Sequence, residues 1–219
     1  KTTVGVALAE RWPTPAVFWF TVRFTLNDQL TSLVFALGNF LQRQGASQLW
    51  LQLIAQGGVI KDANLALELT RADLASLAAP PLLCFDEVDL LRPPDIETEP
   101  LEHTQFLAFL EGLHGHAPLL LIGQRAVLAC DLVQRLTRLS GVETAEWLTQ
   151  ASVPFSPDLL ARLDAYTAGT PRLLALCLAL YAVMQLQTPA TLADVLDLLP
   201  HTPALAPIWQ RLQQRLDKS

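Results

Sequence analysis

Charge is the scarcest ingredient of this 219-residue chain: Asp, Glu, Lys and Arg together make up 16% of it, against 51% hydrophobic residues. No cluster of Lys and Arg occurs anywhere, the net charge is −6, and the pI is about 5.1. Polyanions are bound through arrays of basic side chains, so this segment by itself is excluded as a nucleic-acid surface. Long apolar runs are also missing. The longest, residues 173–184, falls short of the ~20 residues that span a bilayer, which excludes a membrane partner. The mean hydropathy of +0.32 must then come from buried strands and helices. A parallel sheet covered on both faces accounts for it, because its strands are apolar on both sides. Cysteine is limited to Cys84, Cys130 and Cys177. All three lie in apolar runs without metal-ligand spacing, and read as buried, reduced thiols of a cytoplasmic protein. No signal peptide precedes them. The first residue is Lys1 and not Met, which reads as a mature fragment or an excised domain.

What is present alternates. Residues 2–12 carry apolar positions at helical spacing and stop at Pro13. Residues 16–25, aromatic and β-branched, favour a strand. Asn27 is placed to cap a helix through Leu30, Val34, Leu37 and Leu41 to Gly45, and Ser47 to cap a shorter one ending near Gly57 and Gly58. Residues 62–78 are helical in pattern. Residues 82–85, between Pro80-Pro81 and Asp86, form a central strand. A Pro- and acid-rich loop fills 92–100, a helix 102–113 and a second fully apolar strand 119–122, with a third strand expected at 136–139. Strands alternating with helices argue for an α/β sheet with right-handed crossovers. From residue 141 the pattern is helical only, over 142–150, 156–167, 171–186, 191–199 and 204–216, with a domain boundary near 140–151. The expected organisation is a core of residues 1–145 and a helical domain of 146–219. The four histidines read as surface residues in loops or near helix ends.

Four local patterns carry chemistry. Lys1-Thr2-Thr3 leads directly into a helix, as do the last positions of the phosphate loop G-x-x-x-x-G-K-[ST]. There lysine reaches the β and γ oxygens, the hydroxyl binds Mg2+, and the helix N-terminus adds its dipole. The plain alternative is an exposed terminal lysine. The run Leu82-Leu83-Cys84-Phe85-Asp86-Glu87 ends a buried strand in two carboxylates. Asp86 suits Mg2+, a hard cation that takes oxygen ligands, and Glu87 suits orienting an attacking water. Ligands gather at the carboxyl ends of parallel strands. The alternative is that Asp86 caps a short turn. After residues 119–122 come Gly123-Gln124-Arg125, where a polar residue would sense a terminal phosphate, or where the chain simply forms an exposed loop. Gly169-Thr170-Pro171-Arg172 stops one helix and starts another.

In order, these pieces resemble the STAND class of P-loop NTPases (signal-transduction ATPases with numerous domains), close to the NB-ARC and AAA+ modules. The resemblance rests on Lys1-Thr2-Thr3, the aromatic strand Val17-Phe18-Trp19-Phe20, residues 82–91 (LLCFDEVDLL), 119–125 (LLLIGQR), 138–148 (RLSGVETAEWL) and 168–176 (AGTPRLLAL). It implies a P-loop parallel sheet flanked by helices, its first strand and Gly-rich loop lying ahead of Lys1, followed by an all-helical lid. It also implies a regulatory switch that binds ATP or ADP with Mg2+, self-associates in the ATP state, and is fused to sensor or effector domains. Lys1, Thr2, Thr3, Gln124, Pro171 and Arg172 would contact nucleotide, Thr2 and Asp86 the metal, and Glu87 and Arg125 would serve hydrolysis. Pro171 would lie against the base, or Arg172 would reach the γ-phosphate. Two alternatives stand beside it. One is an AAA+ ATPase of DNA replication, transposition or transcription control. The other is a non-catalytic interaction module of the same fold. Residues 208–216 would begin a link to a fused sensor or effector domain.

Overall fold

A computed structural model describes residues 1–14, 16–92 and 100–198. The chain divides into two compact units, residues 1–134 and 135 onward. Among the described residues, no helix is long and apolar enough to cross a membrane.

The first unit is α/β. Helix α1 (Thr2–Glu10) leads to strand β1 (Val17–Thr21). Helices α2 (Leu30–Arg43), α3 (Gln48–Ala55) and α4 (Ala63–Ser76) follow, then β2 (Leu82–Asp86) and a one-turn 3₁₀ helix (Val88–Leu91). Helix α5 (Leu101–Gly112) leads to β3 (Leu119–Ile122). The strands form one parallel sheet in the order β1-β2-β3. Trp19 stands opposite Cys84, which stands opposite Leu120; Thr21 stands opposite Asp86, which stands opposite Ile122.

Strand alternation assigns the two faces. Phe18, Phe20, Leu83 and Phe85 enter one core with Leu33, Leu37 and Leu41 of α2, Leu49 and Leu53 of α3, Leu74 of α4, and Phe106 and Leu110 of α5. Helix α1 packs on the opposite face. Its Gly5 is buried against Ile122 and Trp19, so closely that a Cβ there would overlap the Ile122 side chain. β2 is buried at all five positions, which is why its sequence is an apolar run without alternation.

Several local expectations are corrected. β1 spans five residues, not ten. Val22 still donates to the Asp86 carbonyl (2.9 Å), but the chain then turns through Thr25 at φ 64°. Asn27 does not cap α2, whose N-cap is Gln29. Its side chain staples the turn instead, accepting from Arg23 N–H (2.6 Å) and donating to the Thr21 carbonyl (3.0 Å). Ser47 occupies the N-cap of α3 without a side-chain bond. The buried Asp73 of α4 takes over that role, accepting from the Gln48 and Leu49 amides at 2.9 Å each. Cys84 and Cys177 are buried, and burial pushes each thiol up to about 11. Cys130, however, is exposed.

His103 is not a surface histidine. It is buried in the first turn of α5, with Nε2 3.2 Å from Asp28 Oδ2 and Phe24 edge-on to its ring. Burial alone would raise the Asp28 carboxyl. Hydrogen bonds from the Thr25 amide and His103 outweigh it and hold the group below the usual carboxylate range. A depressed carboxyl contributes stability that is present above its ordinary value and lost as pH falls through the folded one.

The second unit is helical among its described residues: α6 (Gly141–Gln150), α7 (Pro157–Thr167), α8 (Pro171–Gln185) and α9 (Leu192–Leu198). Ser140 and Glu143 close a reciprocal capping box on α6, and Ser156 caps α7 through Leu159 N–H (3.2 Å). Leu148, Leu163, Leu174, Cys177, Val195 and Leu196 form its core. The strand expected at 136–139 is absent. Leu136 is exposed, and the segment's main-chain bond is Leu139 N–H to the Gly169 carbonyl (2.7 Å), a contact with a helix stop and not with a strand. The helix expected at 204–216, residue 199 and the loop interior 93–99 lie outside the described residues.

Two stability predictions follow from this packing. Asp73→Ala strips two amides at the start of α3 of their acceptor and should lower the unfolding free energy by about 2 kcal/mol in urea titration; an unchanged midpoint would show that water replaces the carboxylate. Asp28→Asn should flatten the acid limb of the stability–pH curve, measured by thermal melting below pH 5 or so. A variant curve parallel to that of the parent would show that Asp28 does not carry the limb.

Candidate functional site

The sheet places its loops at the carboxyl ends of β2 and β3, and the sequence puts its polar residues there. Asp86 closes β2 and is only 4% exposed. Its two oxygens are directed differently. Oδ1 accepts from the adjacent Glu87 amide (3.1 Å), and Oδ2 accepts from the Thr2 hydroxyl at 2.9 Å, across 84 residues of chain. Thr2 is the first residue of α1, with Lys1 as N-cap. The start of α1 therefore meets the tip of β2, and Lys1 stands one residue, about 3.8 Å along the chain, from the contact. Lys1, Thr2 and Thr3 are exposed, and the free amides of the first helical turn face the same end.

Asp86 is not the cap of the turn that follows. That position belongs to Glu87, which makes no capping bond with its side chain. Glu87 adopts φ 61°, ψ 30°, a left-handed conformation that costs a non-glycine residue roughly 1–2 kcal/mol. The reversal rolls Val88–Leu91 into the 3₁₀ turn, leaves Glu87 exposed and tucks Asp89 underneath. Strain of this kind concentrates where a side chain has to be held in a fixed direction.

β3 ends at Ile122, opposite Asp86, and the next three residues close over the turn. Gln124 and Arg125 are exposed. Arg125 does not extend freely. Its Nη2 donates to the Arg92 carbonyl (2.7 Å) and, at 3.5 Å, to that of Asp89. Arg92 answers by donating to the Val127 carbonyl (3.2 Å). Two arginines thus tie the β3 tip to the turn after β2. Pro171 and Arg172 are exposed in the first turn of α8, in the second unit.

Asp89 has no pattern of its own in the sequence beyond the run 82–91. It is 7% exposed and its Oδ1 is sealed without a partner among the described residues. A Cβ on Gly123 would lie 2.6 Å from that oxygen. The only sequence signal was a third acid two residues after Glu87, and its burial depends on the left-handed turn, which no local pattern announces.

Chemically, a hydroxyl and a carboxylate in direct contact at a helix start offer two hard oxygen donors beside a positive dipole end. Among the described residues no group of three His, Cys, Asp or Glu converges as a metal site. Set against family models, curated proteins and solved structures, the chain matches none.

If the Thr2–Asp86 bond fastens α1 to the sheet, Thr2→Ser should retain stability while Thr2→Val loses about 1 kcal/mol in chemical denaturation. Equal stability of the two variants would show that the contact contributes nothing to the fold.

Proposed function

We propose that the chain is the nucleotide-binding core and helical lid of a P-loop NTPase of the STAND class, acting in the cytoplasm as an ATP/ADP-dependent regulatory switch. One observation carries this reading: Thr2 and Asp86, read independently as the hydroxyl and carboxylate of one metal–phosphate site, are hydrogen-bonded at 2.9 Å. Lys1 is then poised to grip phosphate, and Glu87, held at the crevice by its left-handed backbone, to orient water.

The crossover rule lends separate support. Helices α2–α4 join β1 to β2, and α5 joins β2 to β3, over the face of Phe18 and Phe85. Helix α1 lies on the other face. Parallel connections are right-handed, so crossovers on opposite faces advance in opposite directions along the sheet. A parallel strand feeding α1 and then β1 belongs beyond β3, at the outer edge where Leu119, Leu120 and Leu121 are half-buried. A glycine-rich loop leaving that strand opens at the point where the winding reverses, which is where open α/β sheets bind ligands.

The residues fit Mg2+. The ion takes one or two protein oxygens and leaves its other positions to water and phosphate, so Thr2 and Asp86 suffice. When bound, Mg2+ neutralises charge on the phosphates. The protein's share is to position them: the ammonium of Lys1 and the first-turn amides of α1 bind phosphate oxygens, and Glu87 accepts a hydrogen bond from the attacking water.

In the full-length polypeptide, Lys1→Ala should abolish ATP and ADP binding measured by calorimetry. Glu87→Gln should bind ATP like the parent while turnover falls about 100-fold or more. Parental affinity in Lys1→Ala would overturn the reading. Tight ADP binding without turnover in the parent would replace the switch enzyme by a non-catalytic module.

A further inference from the structure

We infer that Asp89 is the positioning residue of Arg125, and through it sets the preference of this site for a triphosphate over a diphosphate nucleotide. The inference rests on the nucleotide reading above. Its own basis is a buried carboxylate oxygen without a hydrogen-bond partner among the described residues. Asp89 is 7% exposed, Oδ1 is sealed from solvent, and no donor among the described residues reaches it. Leaving a buried acceptor unpaired carries a desolvation penalty that a donor would remove. Such oxygens are few in a folded protein and call for an explanation, an arriving donor being one.

The direction of that oxygen identifies the partner. It faces Gly123, so closely that a Cβ at that position would stand 2.6 Å away. The chain from Gly123 leads in two residues to Arg125, whose guanidinium already rests on the main chain of the same turn: a good bond to the Arg92 carbonyl (2.7 Å) and a long one to the carbonyl of Asp89 itself (3.5 Å). The other cation at this turn, Arg92, reaches away to the Val127 carbonyl. Glu87 and Asp86, the remaining charges beside Asp89 along the chain, are acids and supply no donor.

A guanidinium has five N–H donors in a planar fork and can serve a carboxylate and a phosphate together. In the structure Arg125 uses one nitrogen, on neutral carbonyls. With a triphosphate in the crevice, Arg125 turns from those carbonyls to bridge the terminal phosphate and Asp89 Oδ1. With a diphosphate it stays on the carbonyls. Gly123 is part of the device, because any side chain there would push the carboxylate aside.

The test is the ratio of ADP to ATP dissociation constants, measured on the full-length polypeptide with fluorescent ADP and ATP. Asp89→Asn and Arg125→Ala should each lower the ratio about tenfold, within the usual range of coupling between groups, and the double variant should lower it no further. Gly123→Ala, which keeps both charged groups, should reproduce the loss, and Asp89→Glu should restore part of the ratio. A ratio unchanged in Asp89→Asn but reduced in Arg125→Ala overturns the inference, as does a double variant whose loss is the product of the two. If the parent binds neither nucleotide, the nucleotide reading itself has failed, and this inference falls with it. If the parent binds both while Asp89→Asn leaves the ratio unchanged, the inference alone has failed.

Discussion

A helix and a strand that are distant in sequence share one hydrogen bond, from the Thr2 hydroxyl to the Asp86 carboxylate, and the geometry of the candidate site depends on it. The bond needs α1 lying flat on the sheet, which requires Gly5 against Ile122 and Trp19. It needs β2 buried at every position, which fixes the height of Asp86 at the strand tip. It also leaves Lys1 and the amides of the first helical turn at the open end. Those groups are positive and the β2 tip is negative, so both signs meet within one turn of helix. That is the electrostatic requirement for a phosphate–metal pair.

Around this contact the structure is stiffened by side chains acting on distant backbone. Asp73 caps the start of α3 from a neighbouring helix. Asn27 and Asp28 shape the turn after β1. Arg92 and Arg125 lace the β3 tip to the turn after β2. Each places a charged or amide group on main-chain atoms that no helix or strand partner satisfies, as buried backbone demands. The strained Glu87 is tolerated because its surroundings leave the turn no other path: Val88 and Leu91 are buried, and Asp89 is wedged under Gly123.

The elements most legible in the sequence were those set by burial. β2 and β3 announce themselves as apolar runs between breakers, because strands apolar on both faces leave no other trace. The cap at Ser156 and the proline starts of α7 and α8 were equally local signals and stand where expected. What failed was whatever depended on which of several competing partners the fold brings close. Asn27 and Ser47 have the right chemistry for caps, yet another residue or another task claimed each. Leu136 to Leu139 look like a strand, but a strand exists only where a neighbour pairs with it. His103 and Cys130 show the same limit from opposite sides, since burial is decided by packing and not by residue type. For the site, the sequence pattern assigned Thr2 and Asp86 to one place, and the fold puts them in hydrogen-bond contact. Asp89 was visible only once the left-handed turn at Glu87 had buried it.

The head of α1 and the tip of β2 are proposed to form one metal–phosphate site. Manganese can report on it directly in place of magnesium, by paramagnetic resonance of the full-length polypeptide with ATP. A protein-bound manganese–nucleotide signal is expected, and both Thr2→Val and Asp86→Asn should weaken it. A signal of parental strength in both variants would contradict it.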